Sequence, residues 1–180
     1  GGESALYPLV ESTQRDGVCA EVIAPAPHGG RVAQAAARIA TSIADGLGVT
    51  GMLAVELFET DDERVLVNEL AMRPHNSGHW SIEGAVTDQF EQHLRAVLDL
   101  PLGSTELRAP WTVMVNVLGG PADGDLDRCR RLALADQPTA ALHLYGKDPR
   151  PGRKIGHVTA CGPDLDDAAF VARAAAAAFD

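Results

Sequence analysis

The chain has 180 residues, with 25 acidic and 15 basic side chains and a formal net charge of −10. That length fits one domain or slightly more, and a composition of 46% hydrophobic and 22% charged residues excludes wholesale disorder. The acidic balance argues against a nucleic-acid partner, which needs an excess of Lys and Arg, and no apolar run approaches the ~20 residues that span a membrane.

The chain opens Gly1-Gly2-Glu3-Ser4 without an initiator methionine and runs at once into the strand-like Ala5-Leu6-Tyr7-Pro8-Leu9-Val10, which reads as a piece of something longer. Up to about Ala26, short apolar stretches broken by a turn at Arg15-Asp16-Gly17 predict a pair of strands, with Pro8 at an edge. After a Pro/Gly loop, Val32, Ala36, Ile39 and Ile43 recur at helical spacing, with Gly46 or Gly48 as the stop. Met52 to Glu59 and Arg64 to Leu70 predict a β-hairpin that turns over Asp62-Glu63. Phe90, Leu94, Val97 and Leu98 mark a second helix that ends before Pro101. Beyond a linker from Leu102 to Pro110, strands are expected at Trp111–Leu118, Ala141–Tyr145 and Lys154–Thr159. Helices are expected at Asp125–Ala135 and over the alanine-rich Pro163–Phe179. Cys19, Cys129 and Cys161 are odd in number and widely spaced, as free thiols in a reducing cytoplasm would be.

Three groups of residues could carry chemistry. If paired hairpin positions sum to 125, Glu56 faces Glu69 with β-carbons about 4.5–5.5 Å apart. Like charges at that distance destabilise a hairpin, and flanking Val55, Leu57, Leu66 and Val67 suggest a partly buried sheet. A hard divalent cation such as Mg²⁺ would relieve the repulsion; a different register with a solvated glutamate is the plain alternative. Asn68 could add an oxygen, but strict alternation points it to the opposite face unless a bulge intervenes. The second group is the loop Arg73-Pro74-His75-Asn76-Ser77-Gly78-His79. It offers donors and acceptors for a polar ligand, with Arg73 able to hold an anion, or it is a solvated turn. His75 and His79 have a zinc-like spacing only if helical, which Pro74 and Gly78 oppose. The third group is Lys147-Asp148-Pro149-Arg150-Pro151-Gly152-Arg153-Lys154, a local basic excess in an acidic chain. It is either an anion site stiffened by two prolines or a solvated face.

Read together, Ala54-Val55-Glu56-Leu57-Phe58, Val67-Asn68-Glu69-Leu70-Ala71, the His-Asn-Ser-Gly-His-Trp loop and Arg150-Pro151-Gly152-Arg153-Lys154 resemble the ATP-grasp enzymes. Among these, the resemblance is to the 5-(carboxyamino)imidazole ribonucleotide synthases. It extends through Gln89–Ala96 and His143–Lys147 and covers nearly the whole chain. It implies an α+β fold, with residues 1–103 as the C-terminal part of the ATP-grasp domain. An antiparallel sheet with packed helices would be followed by a small β-rich domain over 104–180 ending in a helix.

The reaction implied converts ATP, bicarbonate and 5-aminoimidazole ribonucleotide into the carboxyamino product, ADP and phosphate, through carboxyphosphate, in purine biosynthesis. By position, Glu56 and Glu69 would hold Mg²⁺, and Asn68, Glu69 and Gln14 would line the ATP site. Arg73 would be catalytic, stabilising the anionic intermediate. His75, Asn76 and Ser77, with Lys147, Arg153 and Lys154, would bind the acceptor nucleotide. A homodimer is implied for the full-length protein. The departures are Met72 where a proline is expected, Gln14 where some members have a histidine, and the absence of any lysine before Lys147. The last implies that the lysines of an upstream nucleotide lid are missing and that the chain alone is inactive. The rival readings are another ATP-grasp carboxylase or ligase, a non-catalytic nucleotide-binding domain derived from one, and a zinc hydrolase using His75 and His79.

Overall fold

The computed structural model describes residues 2–62 and 64–180. In chain order the elements are β1 Glu11–Arg15, β2 Val18–Ala24, α1 Gly30–Leu47, β3 Ala54–Glu59, β4 Val65–Ala71, a single 3-10 turn at Asn76–Gly78, α2 Ser81–Gly84 and α3 Gln89–Val97. They continue with β5 Trp111–Leu118, α4 Leu126–Asp136, β6 Ala141–Leu144, β7 Lys154–Gly162 and α5 Leu165–Ala177. Five strands form one antiparallel sheet in the order β1-β2-β5-β7-β6, while β3 and β4 form a separate two-stranded sheet. The larger sheet takes strands from both sides of residue 103, so the chain segment from α1 to α3 is inserted between two neighbouring strands of one sheet.

Local chemistry explains most boundaries. Asp16 and Gly17 turn β1 into β2 with positive φ at both. Gly48 ends α1 in the left-handed conformation (φ 59°), donating its N–H back to the last turn. Asp88, Asp125 and Asp164 each cap a helix by accepting backbone N–H groups of the first turn. The alanines of α5 are what let it approach the sheet closely. Ala168, Ala169, Ala172, Ala175 and Ala176 are buried against β5 and β7, and Phe179 is sealed beneath the last turn. The helices α4 and α5 therefore cover one face of the sheet. On the other face, Trp80 and Ala85 pack on Cys19, Val22, Ala24 and Met114.

Two expectations are corrected, and one helix buries an unforeseen face. Ala5–Val10 forms no strand: Pro8 cannot donate to a ladder, and the segment is held by Tyr7 Oη donating to the Thr87 carbonyl (2.6 Å) and Thr105 Oγ1 donating to the Leu6 carbonyl (2.7 Å). The apolar stripe of α3 does not face the interior. Phe90, Leu94, Val97 and Leu98 are exposed, and the buried positions are Gln89 and Gln92. Their amides are satisfied by loop backbone; Gln92, for example, both accepts from and donates to Gly103 at 2.8 Å. Nor is the hairpin partly buried throughout, since Leu66, Val67 and Leu70 on β4 are exposed. Its tip closes from Thr60 to Arg64, and Glu63 of the expected turn lies outside the described residues.

Candidate active site

The hairpin carries the first half of the site. Ala54, Val55 and Glu56 pair with Ala71, Leu70 and Glu69 in the register the sequence suggests, and then the register slips by one so that Leu57 pairs with Val67. Asn68 is the extra residue. A bulge re-aims the side chain it contains, and Asn68 Nδ2 accordingly donates to Glu56 Oε2 (3.3 Å). The amide thus orients the carboxylate. His75 closes the third side: its Nε2 lies 3.8 Å from Glu56 Oε1 and 3.9 Å from Glu69 Oε1.

The second half is a loop held by side chains that sequence reasoning did not single out. Gln89 is 1% exposed. Its Oε1 accepts from the His75 N–H (2.8 Å), and its Nε2 lies 2.9 Å from the His75 carbonyl and 2.8 Å from His79 Nδ1. Gly78 lies so close to this amide that a β-carbon there would collide with it. Asn76 and Asn116 exchange reciprocal amide hydrogen bonds of 2.9 and 2.8 Å, and Asn116 also donates to the Cys19 carbonyl. Asn116 was legible only as a lone polar residue inside the apolar strand Trp111–Leu118. Lys154 Nζ donates to Asn76 Oδ1 (3.1 Å). A second register slip on β7 makes this contact possible. Ile155 enters the core with Val158, and Lys154 is turned toward the loop.

His75 Nδ1 accepts from the Ser77 backbone N–H (3.4 Å) and lies 2.9 Å from the Ser77 hydroxyl. That pairing puts the ring proton of neutral His75 on Nε2, facing the two carboxylates. Burial lowers the His75 pKa; Glu56 and Glu69 oppose this, while Arg73 and Lys154 reinforce it. Burial thus works against a protonated His75 beside the carboxylate pair. A pair of opposed carboxylates with an amide locking one of them fits a hard divalent ion.

The remaining candidates are less concentrated. Arg73 is exposed, its guanidinium donating to the Pro74 carbonyl (3.2 Å). Lys147 sits over the Tyr145 ring (5.3 Å to the centroid), and Arg153 donates to the Asp148 carbonyl (3.3 Å). Of the basic loop, only Lys154 reaches the His-Asn-Ser turn. Gln14 lies exposed on the edge strand β1, donating to Ser12 (3.3 Å). His79 does not converge with His75. It stacks on His157 (centroids 5.0 Å apart), which stacks in turn on His143 (4.6 Å). Burial, helped by the neighbouring imidazoles, pushes His157 down to about 3 and His79 down to about 4. Tyr145, pushed up to about 12 by burial, places its hydroxyl 2.7 Å from His157 Nδ1.

Comparison with known proteins agrees with this geometry. Residues 1–90 match the ATP-grasp domain family, and residues 112–169 match the phosphoribosylaminoimidazole carboxylase C-terminal domain. The N5-carboxyaminoimidazole ribonucleotide synthase of Mycobacterium tuberculosis is 57% identical over 167 residues, covering 91% of this chain and 39% of the relative. The solved synthetase of Thermus thermophilus superposes with a TM-score of 0.86 at 40% identity, covering 99% of this chain and 48% of that one. The Aspergillus clavatus synthase, solved with ADP and 5-aminoimidazole ribonucleotide, has a TM-score of 0.86 at 37% identity, covering 96% and 46%. The chain thus spans about two fifths of the length of the curated relatives it matches. With the opposed glutamates on one hairpin, and both halves of the sequence matched in order, the chain belongs to the ATP-grasp family.

Proposed function

We propose that this chain is the metal-carboxylate and acceptor-binding part of an enzyme that carboxylates 5-aminoimidazole ribonucleotide with bicarbonate at the expense of ATP, giving the carboxyamino product, ADP and phosphate. One observation carries the reading: the Glu56–Glu69 pair, His75 and the Asn76–Lys154 contact meet in a single continuous site although they come from three separate stretches of sequence. In this reading residues 1–103 complete the ATP-grasp domain and 104–180 form the small C-terminal domain. The assembled protein is a cytoplasmic homodimer, and among the described residues no helix is long and apolar enough to cross a membrane.

Glu56 and Glu69 would hold Mg²⁺, with Asn68 fixing the orientation of Glu56. When bound, that ion supplies charge neutralisation for the transferring phosphoryl group. Asn68, Glu69 and Gln14 line the ATP side. His75 presents Nε2–H toward the carboxylates and is positioned to hydrogen-bond an anion there. Arg73, exposed at the mouth, adds positive charge for the bicarbonate-derived intermediate. Asn76 and Ser77 contact the acceptor, and Lys147, Arg153 and Lys154 take its phosphate, with Lys154 already held against Asn76.

Phosphate release measured on the chain extended upstream to the length of its relatives tests this, with ATP and bicarbonate, with and without the ribonucleotide. Strong stimulation by the ribonucleotide, lost in Glu69→Ala, is expected, together with no turnover from the 180 residues alone. ATP hydrolysis indifferent to the ribonucleotide would move the acceptor elsewhere in the family.

A further inference from the structure

Away from the carboxylate hairpin, one patch gathers every buried side-chain polar atom that lacks a hydrogen-bond partner among the described residues: Glu83 Oε2, His157 Nε2 and Thr159 Oγ1. His157 and Thr159 are two apart on β7 and share a face of the sheet. The short helix α2, which carries Glu83, packs against that strand. A buried polar atom left without a partner is costly, so three in one patch call for an occupant. His143 stands opposite His157 across the β6–β7 pair, with its Nε2 2.7 Å from Glu83 Oε1. One donor atom from each of Glu83, His143 and His157 lies within 4.8 Å of the other two.

From this geometry we propose that Glu83, His143 and His157 form a second metal site, built for a borderline transition-metal ion of the zinc class. It stands on other residues than the carboxylate pair and differs from it in chemistry. Two imidazoles and one carboxylate are a donor set that zinc accepts with one position left open. Nitrogen ligands favour zinc over the magnesium that an all-oxygen set selects.

His157 is the fixed member. It is 2% exposed, and the Tyr145 hydroxyl oxygen can accept the hydrogen of Nδ1, leaving the Nε2 lone pair for the ion. A ring hydrogen bond of this kind is how a metal-bound imidazole is oriented from behind. Ligands of a tetrahedral zinc stand about 3.3 Å apart at bond lengths of about 2.0–2.1 Å, so the three donors must draw together. The rings of His143 and His157 stack 18° from parallel, which requires one of them to turn. His143 and Glu83, with side chains 36% and 24% exposed, have the freedom to do so and supply the entry path.

Cobalt(II) and zinc(II) titrations of the untagged chain, after dialysis against chelator, test the site. One Co²⁺ per chain with the visible absorption of a low-coordinate site is expected, displaced by Zn²⁺ and accompanied by a rise in Tm. Glu83→Gln and His143→Gln should each weaken Co²⁺ binding by about tenfold or more, with circular dichroism establishing that both variants fold. Glu69→Gln should leave the band unchanged. Uptake that survives both Glu83→Gln and His143→Gln, uptake abolished by Glu69→Gln, or no saturable uptake at millimolar metal would each overturn the proposal. Water alone would then satisfy the patch.

Discussion

Gln89, itself buried, commits one side chain to the two backbone polar groups of His75 and to the ring of His79. Removing it strands those groups, and each buried unpaired group costs about 1–3 kcal/mol. Gln89→Ala should therefore lower stability by about 2–4 kcal/mol in urea unfolding, far beyond the usual effect of a polar substitution; a loss under about 1 kcal/mol would mean that the loop is held by other contacts. The residues proposed to carry the chemistry, Glu56, Glu69, His75, Asn76 and Lys154, were legible because charge and unusual loop composition mark them. The residues that hold them in place were not. Gln89 sits on a helix next to an apolar stripe, and nothing in its sequence context says that the polar side turns inward.

Among the elements, the two register slips matter most. Without the extra residue on β4, alternation would send Asn68 to the far side of the hairpin; without the slip on β7, Lys154 would not point at Asn76. In both strands a local departure from pleating delivers a polar group to the site. The direct Glu56–Glu69 opposition has a measurable consequence, because like charges facing each other across a strand pair are destabilising. Glu69→Gln should raise the Tm of the chain in chelator slightly and abolish any gain in Tm on adding Mg²⁺. Equal Mg²⁺ stabilisation of wild type and variant would remove the carboxylate pair as the ion's ligand set. The α3 stripe teaches the reverse lesson: the spacing of Phe90, Leu94 and Val97 marks the helix, yet these residues are exposed, because periodicity does not say what lies against them.

At the scale of the whole molecule, the stack of His79, His157 and His143 joins the site loop to β6 and β7 and couples stability to pH. The unfolded imidazole titrates near 6.5, whereas burial in the fold pushes His157 down to about 3 and His79 down to about 4. The unfolded chain therefore binds more protons below pH 6.5. The stabilisation is complete above that pH and is lost as the pH falls toward 4. The unfolding free energy of metal-free protein in urea should decline between pH 6.5 and 4.5, by up to about 1.4 kcal/mol per pH unit from His157 alone; a flat profile over that window would mean that these rings are hydrated and protonated in the fold. Nearly every strand and helix after residue 10 and the Glu56–Glu69 pairing could be read from the residues alone, because periodicity and turn chemistry act over a few neighbours, and the motif resemblance implied the α+β class. Long-range packing settled the rest: β2 pairs with β5 across the inserted hairpin and helices, the bulges turn Asn68 and Lys154 inward, and Gln89 and Asn116 brace the loop. Those outcomes depend on which surfaces meet, across about a dozen residues for Asn68 and Gln89 and nearly 100 for Asn116 and Cys19, and no local pattern encodes such a meeting.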